Sequence, residues 1–267
     1  MSTDRIALAF GGLRERGEKG LIPFVTAGYP DLETTERLVL GMAESGADLI
    51  ELGVPFSDPL ADGPVIQHAS QIALTRGTNL ARILELVARL RKRTAIPLVL
   101  MSYYNPILSY GPETLIAKAA GVGIDGLIIP DLPVEEAGDI LALSDTLGVA
   151  LIPLVAPTSG ARRIAFIAER ARGFVYCVSL TGVTGSGGRY SDQLTTMLDT
   201  VRAHTDLPAA IGFGIAEPGQ ARNLAPRADA LIVGSAFVKR ITEAGVNQAV
   251  AAAQELVQSL KRALAEK

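Results

Sequence analysis

What most limits the folding of this chain is a unit repeated along it: a short apolar run, a polar or glycine-bearing loop, then a stretch with helical spacing. Eight apolar runs stand out: Leu21–Thr26, Asp48–Gly53, Pro97–Ser102, Gly126–Pro130, Val149–Val155, Gly173–Ser179, Ala209–Phe213 and Ala230–Gly234. Each is rich in Val, Ile, Leu or Phe without strict alternation, the pattern of strands covered on both faces in a parallel sheet. The segments between them carry helix ends. Asp31 ahead of Glu33 to Glu36 opens one helix and Gly46 stops it. Asn79 caps another that is expected to reach Arg93, with Arg91, Lys92 and Arg93 at the negative end of its dipole. Pro133 with Glu135 and Glu136 opens a third, which Gly148 closes. Ser159, Ser191 and Glu217-Pro218 start three more, and a last helix is expected from about Val246 to Ala265.

Strand–helix alternation means βα units with right-handed crossovers. Eight units in 267 residues match a (β/α)8 barrel, which typically takes about 250. The competing architecture, an open doubly wound sheet, would carry G-x-G-x-x-G after its first strand; Thr26-Ala27-Gly28-Tyr29-Pro30 stands there instead. No low-complexity linker or charge run divides the chain. The expectation is one TIM-barrel domain over residues 1–267, with an extra N-terminal helix in the amphipathic stretch that holds Arg14 and Arg16.

The charge balance narrows the partners. Net charge is −3, charged residues make up 20%, and there is no Lys/Arg-rich block, so nothing invites nucleic acid or an anionic membrane. The single cysteine, Cys177, cannot form an internal disulfide and reads as a small core hydrophobe. The first residues show no signal-peptide pattern, and a cytoplasmic location is expected.

In such a barrel the chemistry lies at the C-terminal strand ends. Glu51 interrupts Ile50-Glu51-Leu52, and period 2 puts it on the side of Leu49 and Gly53, facing the interior. A carboxyl group in a half-dry pocket has a raised pKa and can shuttle protons near neutral pH. The competing role is a structural ion pair, but inward-facing cations are absent from the runs. Asp58 and Asp62 sit in Pro55-Phe56-Ser57-Asp58-Pro59-Leu60-Ala61-Asp62-Gly63-Pro64. Either alone reads as a turn former; over a pocket mouth one of them becomes a second carboxylate. Gly212-Phe213-Gly214 and Gly234-Ser235 end the last two runs, where loops and a helix N-terminus recurrently hold phosphate. A tight turn with a Ser cap would need the same Gly-Ser.

Absences narrow the reaction. None of the six lysines lies at a C-terminal strand end, which removes a Schiff-base aldolase. His68 and His204 stand apart in helical segments with no Cys/His cluster, so a zinc-dependent aldolase lacks ligands and no metal is expected. Carboxylate acid/base work on a phosphate-bearing substrate remains.

Several segments resemble the tryptophan synthase α-chain family: Pro23 to Pro30, Glu51 to Pro64, Tyr103-Tyr104-Asn105-Pro106, Pro130-Asp131-Leu132-Pro133, Thr181 to Gly185 and Gly212-Phe213-Gly214-Ile215. The likeness runs through the whole chain in order. It implies retro-aldol cleavage of indole-3-glycerol phosphate to indole and glyceraldehyde 3-phosphate without a cofactor in this chain. It implies that Glu51 moves the protons and that Asp62 hydrogen-bonds the indole N–H. The resemblance places phosphate on Gly185, Gly214, Gly234 and Ser235. It puts Phe24, Tyr103, Tyr176 and Phe213 in or around the apolar pocket and Thr184 among the substrate-binding residues, with Leu180–Tyr190 closing as a lid. It also implies an α2β2 assembly with a pyridoxal-phosphate β chain that receives the indole. Val65 and Leu180 depart from the family pattern, where Thr and Arg are expected in many relatives. Other phosphate-binding barrels compete: indole-3-glycerol phosphate synthase would need a strand-end lysine, which is missing, and phosphoribosylanthranilate isomerase is the other. A non-catalytic subunit would not need Glu51 and Asp62.

Overall fold

The computed structural model describes residues 4–179, 192–212 and 214–266. Among these, nine parallel strands are present: β1 (Gly20–Thr26), β2 (Ile50–Gly53), β3 (Leu98–Met101), β4 (Gly126–Ile128), β5 (Ala150–Ile152), β6 (Leu154–Val155), β7 (Val175–Val178), β8 (Ala209–Gly212) and β9 (Ala230–Val233). Their order is β5-β4-β3-β2-β1-β9-β8-β7-β6. The two end strands are consecutive in the chain, so the sheet closes into a barrel. The eight expected runs are all strands, and the fifth is cut in two at Pro153. Proline has no N–H for a ladder. Its carbonyl still accepts from the Tyr176 N–H at 3.0 Å, which carries the pairing across the cut.

Every residue of β1, β2, β3, β4, β8 and β9 is buried. One face of each fills the barrel and the other takes a helix, which is why the runs do not alternate. The helices are α1 (Arg5–Arg16), α2 (Leu32–Glu44), α3 (Pro64–Thr75), α4 (Leu80–Leu90), α5 (Tyr104–Tyr110), α6 (Pro112–Val122), α7 (Gly138–Leu147), α8 (Ala161–Arg170), α9 (Asp192–Arg202), α10 (Pro218–Leu224) and α11 (Ser235–Ala265). Asp31 caps α2 by accepting from the Thr34 N–H at 2.6 Å, and Asn79 caps α4 by accepting from the Arg82 N–H at 3.1 Å. Each cap contributes about 1 kcal/mol. Gly148 closes α7 at φ 70°.

Several boundaries differ from expectation. α4 ends at Leu90: the Arg91 N–H still reaches the Val87 carbonyl, but those of Lys92 and Arg93 bond only three residues back, while the Arg91 side chain donates to the carbonyls of Gly123 and Ile96 and pairs with Asp125. α7 begins at Gly138, since Pro133 to Glu136 close a turn of their own through the Glu136 N–H and the Pro133 carbonyl. α8 starts after Gly160; the Ser159 hydroxyl is taken up by the Ala156 N–H at 3.3 Å. Ser191 lies outside the described residues. α11 starts at Ser235 and is interrupted at Gly245 (φ 71°, ψ 167°), so the stretch expected from Val246 is its second half.

The expected extra helix is α1. Ile6, Phe10 and Leu13 are buried, and Phe10 meets Phe174 with ring centroids 5.8 Å apart. The side chains of Ile6 and Leu13 lie so close to Gly126, Gly173 and Gly20 that a Cβ there would crowd them. α1 thus plugs the N-terminal end of the barrel, each of its three apolar side chains contributing roughly 1.5–3 kcal/mol. The opposite end is left for the site. No helix among the described residues is long and apolar enough to cross a membrane.

Candidate active site

Glu51 stands in the middle of β2, in register with Phe24 of β1 and Val99 of β3. Its neighbours two residues away share its side of the sheet, and Gly53 shows what that side requires: a Cβ there would collide with the Phe24 ring. Glu51 is 1% exposed, and its Oε2 has no hydrogen-bond partner among the described residues. The competing ion-pair role therefore has no support. Burial, and then the neighbouring Asp62, push Glu51 up to about 8, so it is a neutral acid at pH 7.

Asp62 reaches the same cavity from the loop between β2 and α3. Burial raises it to about 6, while a hydrogen bond from Tyr103 pulls it back. The two carboxyl groups are therefore held in different protonation states near neutral pH. A pair of carboxyls split by its environments is the arrangement that assigns one acid and one base.

The cavity holding both is about 350 Å³. Phe24, Met101, Tyr176, Ile232, Val65 and Ile66 form its apolar wall. Tyr176 is buried, and burial, then Glu51 and Asp62, keep its phenol protonated well above its ordinary range. Gly212 gives Tyr176 its space, since a Cβ there would strike the phenol ring and hydroxyl. Gly214, at φ 75°, together with Gly234 and Ser235 lines the far side, where α11 begins. A helix start leaves N–H groups unpaired and carries a positive dipole end, which suits an anion. Gly234 leaves its backbone bare toward that space; a Cβ added to it would lie 3.5 Å from the nearest Phe24 carbons.

Of the expected site residues, the structure thus gathers Glu51, Asp62, Phe24, Tyr176, Gly214, Gly234 and Ser235 around one cavity. Tyr103 stands behind the loop rather than in the wall, accepting from the Ala61 N–H at 2.8 Å. Thr184, Gly185, Phe213, Leu180 and the expected lid lie outside the described residues. Asp58 is exposed on the loop ahead of Asp62. Sequence reasoning misses Gly53 and Gly212 as makers of room, although a glycine inside a strand signals close approach. It also misses Met101 and Ile232, whose residue type says nothing of a pocket. Val65, one of the two departures from the family pattern, is an apolar wall residue here. Among the described residues no group of three or more His, Cys, Asp or Glu side chains is placed to hold a metal ion.

The family model for the tryptophan synthase alpha chain matches residues 10–265. The chain is 52% identical over 235 residues to the tryptophan synthase alpha chain of Geobacter sp. strain M21, covering 88% of each. It is 49% identical over 263 residues to that of Thermoanaerobacter sp. strain X514, covering 98% of this chain and 100% of the other. The crystal structure of tryptophan synthase subunit alpha from Legionella pneumophila str. Paris superposes with a TM-score of 0.90 at 37% identity, covering 99% of this chain and 98% of that one. With Glu51 and Asp62 in one cavity that Gly214, Gly234 and Ser235 also line, and likeness along nearly its whole length, the chain belongs to the tryptophan synthase alpha chain family.

Proposed function

We propose that Glu51 and Asp62 perform the alpha reaction of this family: a lyase cleavage of indole-3-glycerol phosphate to indole and glyceraldehyde 3-phosphate. The observation that carries this reading is the buried Glu51 carboxyl, its Oε2 without a hydrogen-bond partner among the described residues, in the same cavity as Asp62. Gly214, Gly234 and Ser235 take the phosphate, which fixes the glycerol chain across the cavity, and the apolar wall takes the ring. Glu51 gives its proton to the ring carbon that bears the side chain. The ring nitrogen becomes positive, and Asp62 accepts its N–H and stabilises that charge. Glu51, now a carboxylate, removes the proton of the adjacent chain hydroxyl. The carbon–carbon bond then breaks, its electron pair restores the indole, and the hydroxyl carbon becomes the aldehyde. The acid ends as it began, so no cofactor is consumed in this chain.

Indole is neutral and apolar and would be lost to bulk water, so a partner over the cavity mouth serves the reaction. We assign that place to a pyridoxal-phosphate β chain in an α2β2 complex in the cytoplasm, docked on the loops at the strand C-termini, where Pro55, Asp58, Pro59, Asn105 and Pro106 lie. Proline-stiffened loops lower the ordering cost of association. Release of indole from indole-3-glycerol phosphate, followed with and without the β chain, tests both claims. Asp62→Asn is expected to lose most turnover while still binding a phosphate-bearing ligand; loss of binding with the fold intact would make Asp62 a loop organiser. Turnover unchanged by the β chain would remove the partner, leaving the cleavage in place.

A further inference from the structure

Building on the role given to Asp62, we propose that Tyr103 is its positioning residue: its hydroxyl, which accepts from the Ala61 N–H, ties the loop down one residue before Asp62 and has its own proton left to hold that carboxylate toward the cavity. The two sides of this contact differ in stiffness. Tyr103 follows β3 and caps α5, with its carbonyl taken by the Ser102 hydroxyl at 3.0 Å and the next N–H, that of Tyr104, given to Asp131 at 2.8 Å. Its side chain is buried. The loop it faces is open, and Leu60 at its tip is 96% exposed. The backbone hydrogen bonds within that loop are local, from the Leu60 N–H to the Asp58 carbonyl and from the Asp62 N–H to the Pro59 carbonyl. Tyr103 joins the loop to the barrel at two points: the Ala61 N–H at 2.8 Å, and the Phe56 ring, whose centroid lies 5.2 Å from its own.

The hydroxyl chemistry follows from that placement. An oxygen that accepts from Ala61 still has one proton to give, and Asp62 is the next residue. A donor there favours the charged carboxylate. In return the carboxylate keeps the phenol protonated: burial first and then Asp62 push Tyr103 up to about 12. The proton thus stays on Tyr103, and the second carboxylate oxygen is left for a ring N–H. The titratable groups facing this pair among the described residues are Glu51 on β2 and Tyr176 on β7, toward Asp62, and Asp131 after β4, toward Tyr103. Glu51 is neutral at pH 7, so Tyr103 is the neighbour that supports the charge.

The test is Tyr103→Phe in the full chain, assayed for indole release across pH with Phe56→Leu and Asp62→Asn beside it. The ring stays, so the cavity is preserved. Turnover is expected to fall about tenfold with KM within about twofold, the size of one lost hydrogen bond to a charge. The acid limb of the pH–turnover profile is expected to move to higher pH, because the lost bond favoured the ionised form. Phe56→Leu removes ring packing and keeps the hydroxyl, so it should lower the melting temperature and leave the limb in place. A limb that does not move in Tyr103→Phe overturns the proposal, as does an equal limb shift in Phe56→Leu, which would assign the effect to packing. An inactive Asp62→Asn with an unmoved Tyr103→Phe limb would defeat Tyr103 alone; a fully active Asp62→Asn would defeat the catalytic reading and this inference together.

Discussion

The two ends of the barrel use carboxylates in opposite ways. At the N-terminal end Asp125 accepts from Arg5 at 2.7 Å, from Arg91 at 2.6 Å and from the Leu98 N–H at 2.7 Å. Asp48 accepts from the Leu21 N–H and from Lys261, both at 2.8 Å, and Asp229 accepts from the Ala209 N–H at 2.9 Å. Each of these side chains clips an N–H at the start of a neighbouring strand. Toward the C-terminal end Glu51 is more deeply buried than any of these three, yet its Oε2 meets no donor among the described residues. A saturated carboxylate stabilises the fold. An unsaturated one costs stability and is ready to exchange a proton. The contrast agrees with the general division of these barrels into a stability face and a reaction face.

Breaking the saturated end should have the largest effect on stability. Asp125→Ala leaves Arg91 buried without its anion, and a loss of about 3–5 kcal/mol is expected in denaturant unfolding, with turnover of the folded protein unchanged. A variant that lost turnover in proportion would erase the distinction between the ends. Glu51→Gln should do the reverse. Turnover is expected to fall about 10²-fold or more while folding survives, and an active Glu51→Gln protein would remove Glu51 from the reaction.

The same variant sharpens the contrast through pH. Glu51 sits at about 8 in the folded chain against an ordinary 4.5, so between those values the folded state holds more protons than the unfolded one. Stability contributed by this residue is full below about 4.5 and declines as pH rises toward 8. Thermal melts of wild type should show that decline, and Glu51→Gln should lose the part of it above about pH 6, the lower part being shared with Asp62, which is raised to about 6. The smallest effect belongs to an exposed pair at the stable end. Arg16 and Glu18 lie 3.0 Å apart with both side chains about half exposed. Arg16→Ala should change stability by no more than about 0.5 kcal/mol.

Much of the site was legible because the strand period is 2. Glu51 could be placed inside from its two neighbours alone, and Gly234-Ser235 from its position at the end of the last apolar run. The missed pieces are those whose partners lie far along the chain. α5 and α6 had no capping side chain to announce them; each begins without a side-chain hydrogen bond to its N-cap. The resemblance put Tyr103 in or around the pocket, but its tie to the loop could not be read from the sequence, since its hydroxyl meets Ala61, a wall residue 42 positions earlier.

The order of elements, the parallel sheet, the caps at Asp31 and Asn79 and the inward Glu51 were determined by the sequence itself, through periodicity and nearest neighbours that act within a few residues. Tertiary structure alone decided where the fifth strand breaks without opening the barrel, how Gly53 and Gly212 make room for Phe24 and Tyr176, and which carboxylates find donors. Those outcomes depend on distances between strands that only closure of the sheet creates. A carboxylate becomes a clip or an acid according to what the closed barrel places beside it.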